Sequence, residues 1–258
     1  MALQVERRGQ VALLTLQRPE RLNAVNEEMY NALLAAFEQI EREAGVRVVV
    51  LTGAGRAFCV GADLKGHAES SRDAAARTNY VQLGQRVARA VLECRCPVVG
   101  AIHGHAIGAG LELALACDLT VVATAAKLRF PEFGLGTFVG GGVTWTLPRR
   151  VGLTRARELL LLGRFFLGED AALWGLCNEA APAETVLERA MAWADELAQK
   201  APLSLALGKR VLRATADGPM ADALAAEAAA LLSCMQTRDW QEGIDAFSAG
   251  RQAEFRGE

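Results

Sequence analysis

The chain has 258 residues, 52% of them hydrophobic and 22% charged, with a formal net charge of −2. That length is enough to bury a real core in one large domain, or in one domain plus a helical appendage. The charge balance supplies no global positive field, which argues against nucleic acid or an acidic membrane surface as partner.

In chain order, Leu3–Arg7 and Gln10–Leu16 read as two short strands around Gly9, a hairpin signal. A helix is expected within Asn23–Ala44, with Asn26 as N-cap, Glu27 and Glu28 in the first turn, and Met29, Leu33, Phe37 and Ile40 on its apolar face. Val46–Thr52 is a β-branched strand, and Gly53–Asp63 is a loop and turn. Ser70–Asp73 with the following alanines reads as a helix start, and a helix over Val81–Cys94 places Val81, Val87, Val91 and Leu92 on one side. Pro97–Ile102 is a buried strand that runs straight into a glycine-rich turn, Gly104–Gly110, and a short helix carrying Glu112. Strands follow at Asp118–Ala123 and Lys127–Phe130, then a second glycine-rich segment over Pro131–Gly142. Helices are expected near Thr154–Leu162 and Gly168–Leu176.

The last third is rich in alanine and leucine at helical spacing, over Thr185–Lys200, Pro202–Ala216, Met220–Met235 and Asp239–Phe247. Val186, Leu187, Ala190, Met191, Ala194 and Leu197 trace one stripe. A unit of two strands and a helix recurs along the first half, which points to a stacked, coiled arrangement rather than a doubly wound sheet. The six cysteines are scattered, mostly in apolar stretches, and Cys94-Arg-Cys96 is too tight for zinc spacing, so they read as reduced core thiols of a cytoplasmic protein. The N-terminus alternates polar and apolar residues, unlike a signal peptide, and no apolar run approaches the roughly 20 residues of a membrane span.

Three stretches carry acids beside glycine turns: Gly61-Ala62-Asp63, Gly108-Ala109-Gly110-Leu111-Glu112, and Phe130-Pro131-Glu132. Taken singly, Asp63 suits a helix cap, Glu112 a structural ion pair and Glu132 a solvated loop. Taken together, two carboxylates can hold a water and divide acid and base roles, while backbone N–H groups from two separate turns can polarise a carbonyl oxygen. No competing constellation stands out. No serine lies in a nucleophile elbow, and His67, His103 and His105 form no metal set. Gly53-x-Gly55 lacks the third glycine of a dinucleotide fingerprint.

An ordered set of stretches resembles the crotonase (enoyl-CoA hydratase/isomerase) superfamily over essentially the whole chain. It comprises Arg18-Pro19 with Asn23-Ala24, Arg56–Lys65, Gly104–Leu113, Asp118, Phe130–Gly136, Gly140–Gly152, and a tail of Glu242-Gly243, Ala246-Phe247, Arg251 and Phe255. The resemblance implies an α/β spiral of ββα units over residues 1–200 and a C-terminal α-helical trimerisation region over 201–258, in a homotrimer or a dimer of trimers. It implies an acyl-CoA thioester as substrate, with coenzyme A as part of that substrate and no separate cofactor or metal. By that likeness the oxyanion-hole donors are the N–H groups of Ala62 and Ala109, and the catalytic acids are Glu112 and Glu132. Gly61, Asp63, Leu64, Lys65, Gly108, Phe130, Phe138 and Arg21 would line the substrate, with residues 66–80 along the acyl pocket. Arg21, Lys65 and Arg251 are candidates for the coenzyme A phosphates.

Two acids together favour hydration. The alternatives are double-bond isomerisation, another chemistry of the superfamily, or a non-catalytic scaffold. A nucleic-acid-binding relative would need a lysine-rich helix face, whereas 23–44 offers Arg42 against five glutamates. The chain departs from family hydratases at Phe130 and Val139, where a polar residue and a proline are usual, and Phe130 and Phe138 beside Glu132 point to a drier site.

Overall fold

The structure is a computed structural model, and it describes residues 1–64 and 73–258. Its main sheet has six strands in the order β1 (Leu3–Arg8), β2 (Val11–Leu16), β3 (Val48–Gly53), β4 (Val98–Ile102), β6 (Leu119–Ala123) and β9 (Glu179–Ala181). β1 and β2 form the expected antiparallel hairpin, and every later pairing is parallel. β3 and β4 are buried along their full length, as the β-branched runs require of strands covered on both faces.

A second, smaller sheet orders β5 (His105–Ile107), β7 (Lys127–Arg129) and β8 (Phe166–Leu167). Single parallel bridges, Cys59 to Ala106 and Val25 to Ala62, extend this layer backward along the chain. Each turn of chain therefore crosses the large sheet, touches the small one, and enters a helix. β3 leads through Cys59 and Ala62 towards α2 (Ala74–Glu93). β4 leads through β5 to α3 (Ala109–Ala116), and β6 through β7 to the 3-10 turn Glu132–Leu135 and α4 (Val143–Leu162). This is the expected spiral of ββα units, and it stacks the ends of the short strands side by side.

α1 (Glu27–Arg42) has its N-cap at Asn26, whose Oδ1 accepts the Met29 N–H at 3.0 Å, and Met29, Leu33, Phe37 and Ile40 are all buried. The helix starts later than Asn23 because Asn23 has another task. That residue is fully buried in a left-handed conformation (φ +57°). Its Nδ2 donates to Ala54 O and Ala57 O at 2.9 and 2.8 Å, and its Oδ1 accepts the Arg18 N–H at 2.9 Å. α2 begins at the expected start, capped by Asp73, and runs unbroken into the segment expected as a helix over 81–94, with Val81 60% exposed. The buried face is instead Leu83, Val87, Ala88 and Val91. α4 is interrupted at Gly152, where φ is +73° and ψ is 161°. The short strands β5, β8 and β9 were not anticipated.

α5 (Gly168–Leu173) is short, and α6 (Val186–Ala198) packs across β3, β4 and β6 through Val186, Ala190, Ala194 and Ala198. α7 (Pro202–Thr215) is tied to the core by Lys209, whose Nζ reaches Asp118 at 2.7 Å and the carbonyls of Val91 and Cys96. α8 (Met220–Met235) has no buried residue, and α9 (Arg238–Ala249) leaves Phe247 89% exposed. All six cysteines are free thiols. Among the described residues no helix is long and apolar enough to cross a membrane, and no group of three side chains could hold a metal.

Asn23→Ala would strip three backbone groups, one buried and two part-buried, of their partner and place alanine at a left-handed position. A loss of about 3 kcal/mol or more is expected, read as a lower denaturant midpoint. A midpoint unmoved by the substitution would contradict the role given to this side chain.

Candidate active site

The first wall is the Gly61–Asp63 arm. Val25 holds it from one side: the Val25 N–H donates to Gly61 O at 2.7 Å, and the Asp63 N–H donates to Val25 O at 2.9 Å. Arg18 holds it from the other, with Nη2 on Asp63 Oδ2 at 2.9 Å and Nη1 on Ala24 O at 2.5 Å. Gly61 lies at φ +93°, and a Cβ there would fall 2.8 Å from Ile107 O and 3.6 Å from the Ala109 nitrogen. Only glycine permits that approach. The arm is thereby pressed against the start of α3.

The second wall is that helix start. Gly108 has φ +51° and ψ −124°, and its N–H donates to Arg129 O at 3.0 Å, which ties it to the end of β7. Ala109 opens the helix, while Leu111, Leu113 and Leu115 anchor it in the core. Neither the Ala62 N–H nor the Ala109 N–H has an acceptor among the described residues. Two backbone donors from neighbouring turns are thus left open, one of them at the positive end of a helix.

The acids meet these walls from two directions. Glu112 sits one turn into α3, and its Oε1 accepts the Gly140 N–H at 2.7 Å. Gly140 and Gly141 close over it: a Cβ on Gly141, itself at φ +56°, would lie 2.9 Å from Glu112 Cβ. Burial pushes the Glu112 carboxyl up to about 7, against the pull of the Gly140 N–H and with a further push from the charge of Glu132. Glu132 is only 9% exposed, and a Cβ on Gly108 would fall 2.5 Å from its Oε1. Its pKa is also raised by burial, offset in part by its own backbone N–H and by Arg129. The buried Glu132 Oε2 has no hydrogen-bond partner among the described residues. Such an oxygen is costly to bury unless something polar completes it.

The structure thus brings Gly61, Ala62, Asp63, Gly108, Ala109, Glu112 and Glu132 to one place. Leu64 lies beside them and is 57% exposed. Phe130 and Phe138 separate: Phe130 is 1% exposed within the core, whereas Phe138 is 66% exposed and packs on Phe133. Arg21 is exposed on the 3-10 turn Pro19–Arg21. Arg251 is engaged by Glu242, with contacts of 2.6 and 2.9 Å. Lys65, His67 and residues 66–72 of the expected pocket segment lie outside the described residues. The His105 Nδ1 on β5 is buried without a partner among the described residues. The sequence pattern gave no individual role to Arg18, Asn23 or Gly140, although each sits in a stretch that carried the resemblance.

The family model for enoyl-CoA hydratase/isomerase matches residues 6–258. The 2,3-dehydroadipyl-CoA hydratase of Escherichia coli is 34% identical over 253 residues, covering 98% of each chain. Among solved structures, an enoyl-CoA hydratase from Bacillus anthracis superposes with a TM-score of 0.96 at 32% identity, covering 100% of both chains. An enoyl-CoA hydratase from Polaromonas does so with a TM-score of 0.94 at 30% identity, covering 99% of this chain and 100% of that one.

A carboxyl whose folded pKa stands above its unfolded value keeps its proton longer in the folded state. Glu112 therefore lowers stability as pH rises from about 4.5 to about 7. The loss amounts to roughly 3 kcal/mol once the rise is complete. Glu112→Gln should remove this slope and be more stable than the parent at pH 8, with little difference at pH 4. Denaturant unfolding across that range measures it, and parallel curves for the two proteins would refute the shift.

Proposed function

The chain belongs to the enoyl-CoA hydratase/isomerase family, and from that premise we propose that it adds water across the 2,3 double bond of an acyl-CoA thioester. The observation that carries this reading is the pair of buried carboxylates beside two open backbone N–H groups. The thioester oxygen accepts hydrogen bonds from the Ala62 and Ala109 N–H groups, which stabilise the enolate as negative charge moves onto that oxygen. Water lies between the two acids. Ionised Glu112 takes a proton from it as its oxygen bonds to C3, and protonated Glu132 delivers a proton to C2. The product is the 3-hydroxyacyl thioester.

Burial raises both carboxyls, Glu112 to about 7, so each exchanges a proton nearer neutrality than an ordinary glutamate does. Gly140 orients Glu112, and Arg18 holds Asp63 and so the Ala62 donor. Leu64, Lys65, Phe138 and Arg21 are proposed along the substrate, with Arg21 and Lys65 towards the coenzyme A phosphates. Phe130 acts from behind Glu132, as core packing. The free thiols suit a reducing compartment such as the cytoplasm.

Residues 201–258 are proposed as the oligomerisation region of a homotrimer. Met220, Leu224, Leu231, Leu232 and Met235 on α8 are 46–77% exposed, and Leu161, Leu162, Phe165 and Leu173 offer a second apolar patch elsewhere on the surface. Two different patches on one chain make a head-to-tail interface that can close into a ring.

Adding trans-2-hexenoyl-CoA should abolish its conjugated-enoyl absorbance and yield the 3-hydroxy product. Glu112→Gln and Glu132→Gln should each lower kcat by about 10²–10⁴. Turnover unchanged in either variant would contradict the assignment of acids, and consumption of only a 3-enoyl thioester, without water incorporation, would replace hydration by isomerisation. Light scattering should give three chain masses, or six. Leu231→Glu with Leu232→Glu should shift the mass towards one chain, and a monomeric parent would refute the trimer.

A further inference from the structure

A groove of about 720 Å³ runs between α2, the Gly141–Gly142 turn and α7. Gly141, which lines it, is the same residue that closes over Glu112. Gln85, Ala88 and Leu92, which share one face of α2, line it together with Trp145. The groove thus borders Glu112 through Gly141, and the hydration chemistry makes no use of it.

Its charges are unbalanced in a particular way. Arg213 is engaged by Leu92 O at 2.6 Å and by Glu93 at 3.8 Å. Arg149, next to Trp145, stacks on that ring and pairs with Asp217. Arg86 and Arg89 remain on the exposed rim, and neither has an ion-pair partner among the described residues. They are three residues apart on α2, so their like charges face each other at a mild cost that a bound anion would relieve.

We propose that this groove receives the far end of the acyl chain and that Arg86 and Arg89 bind a carboxylate there, so that the preferred substrates are thioesters of dicarboxylic acids. The proposal rests on the acyl-CoA reading of the site. An acyl group with its thioester on Ala62 and Ala109 and C3 near Glu112 is directed past Gly141 into the groove. Ala88, Leu92 and Trp145 accept its methylenes, and the rim meets its terminal charge. Guanidinium groups suit this because they can bind a carboxylate through two parallel hydrogen bonds.

Calorimetric binding of two saturated thioesters of equal length to the intact protein tests the idea without any turnover. Hexanedioyl-CoA should bind roughly five- to tenfold more tightly than hexanoyl-CoA, and the gap should shrink as salt is added. Arg86→Gln with Arg89→Gln, which keeps bulk and hydrogen bonding but removes charge, should bring the ratio close to one. Equal affinities in the parent protein overturn the proposal, as does a preference that survives the double substitution. A groove filled by neutral chains or covered by a second copy of the protein gives the first of these results. If the diacid preference is found but hex-2-enoyl-CoA is not hydrated, the hydratase reading fails while the carboxylate site stands. If neither thioester binds, both fall.

Discussion

A Cβ on Gly61 would stand 2.8 Å from the Ile107 carbonyl oxygen, so the second and third turns of the spiral meet there backbone to backbone. The parallel bridge between Cys59 and Ala106 brings the two segments into register, and Val25, Arg18 and Asn23 clamp the outer one. With the segments this close, the Gly61–Asp63 arm is pressed against the start of α3, and the Ala62 and Ala109 N–H groups are both left without an acceptor among the described residues. Donors fixed by a parallel ladder need no rearrangement when charge appears on a bound oxygen, which is where electrostatic catalysis draws its strength. The same approach leaves no room for a side chain, and so the glycine is a structural requirement of the site.

The acids impose a second constraint. Glu112 and Glu132 arrive from different turns and are both withdrawn from water, and the charge of Glu132 raises the pKa of Glu112. Burying two carboxylates near each other opposes folding. The surroundings offset only part of it: one N–H from Gly140 serves Glu112, and Arg129 lies near Glu132. Among the described residues Glu132 Oε2 is left without a partner. The apolar packing of β4 and β6, the buried strands that lead into the turns carrying the two acids, opposes this cost.

Much of this was legible in the sequence because it is local. Glu112 stands out as one carboxylate in a run of alanine and leucine, Asn26 is a helix cap by its position, and the buried strands announce themselves by β-branched runs. The two arms and the two acids stand out as separate stretches, and the fold brings those stretches near one another. What the sequence hid depends on distant pairing. β5, β8 and β9 have three residues or fewer and exist only because a neighbouring strand completes them. Arg18 looks like a strand breaker's neighbour until Asp63, 45 positions away, meets it. Asn23 looks like the start of a helix until three backbone groups from elsewhere fill its amide. In α2, valines at 81, 87 and 91 suggest one face, but packing against α1 selects Leu83 over Val81. Phe130 and Phe138 flank one acid in sequence, yet one lies in the core and the other on the surface.

The central claim is that the Ala62 and Ala109 N–H groups polarise a thioester carbonyl, and infrared spectroscopy reads that bond directly. With Glu112→Gln to halt turnover, a trans-2-enoyl-CoA carrying ¹³C at the carbonyl can be held in the site and its C=O stretch compared with that of the free thioester in water. Two fixed donors predict a band moved to distinctly lower frequency than in water. A band at the aqueous position, from thioester shown to be bound, would contradict the account.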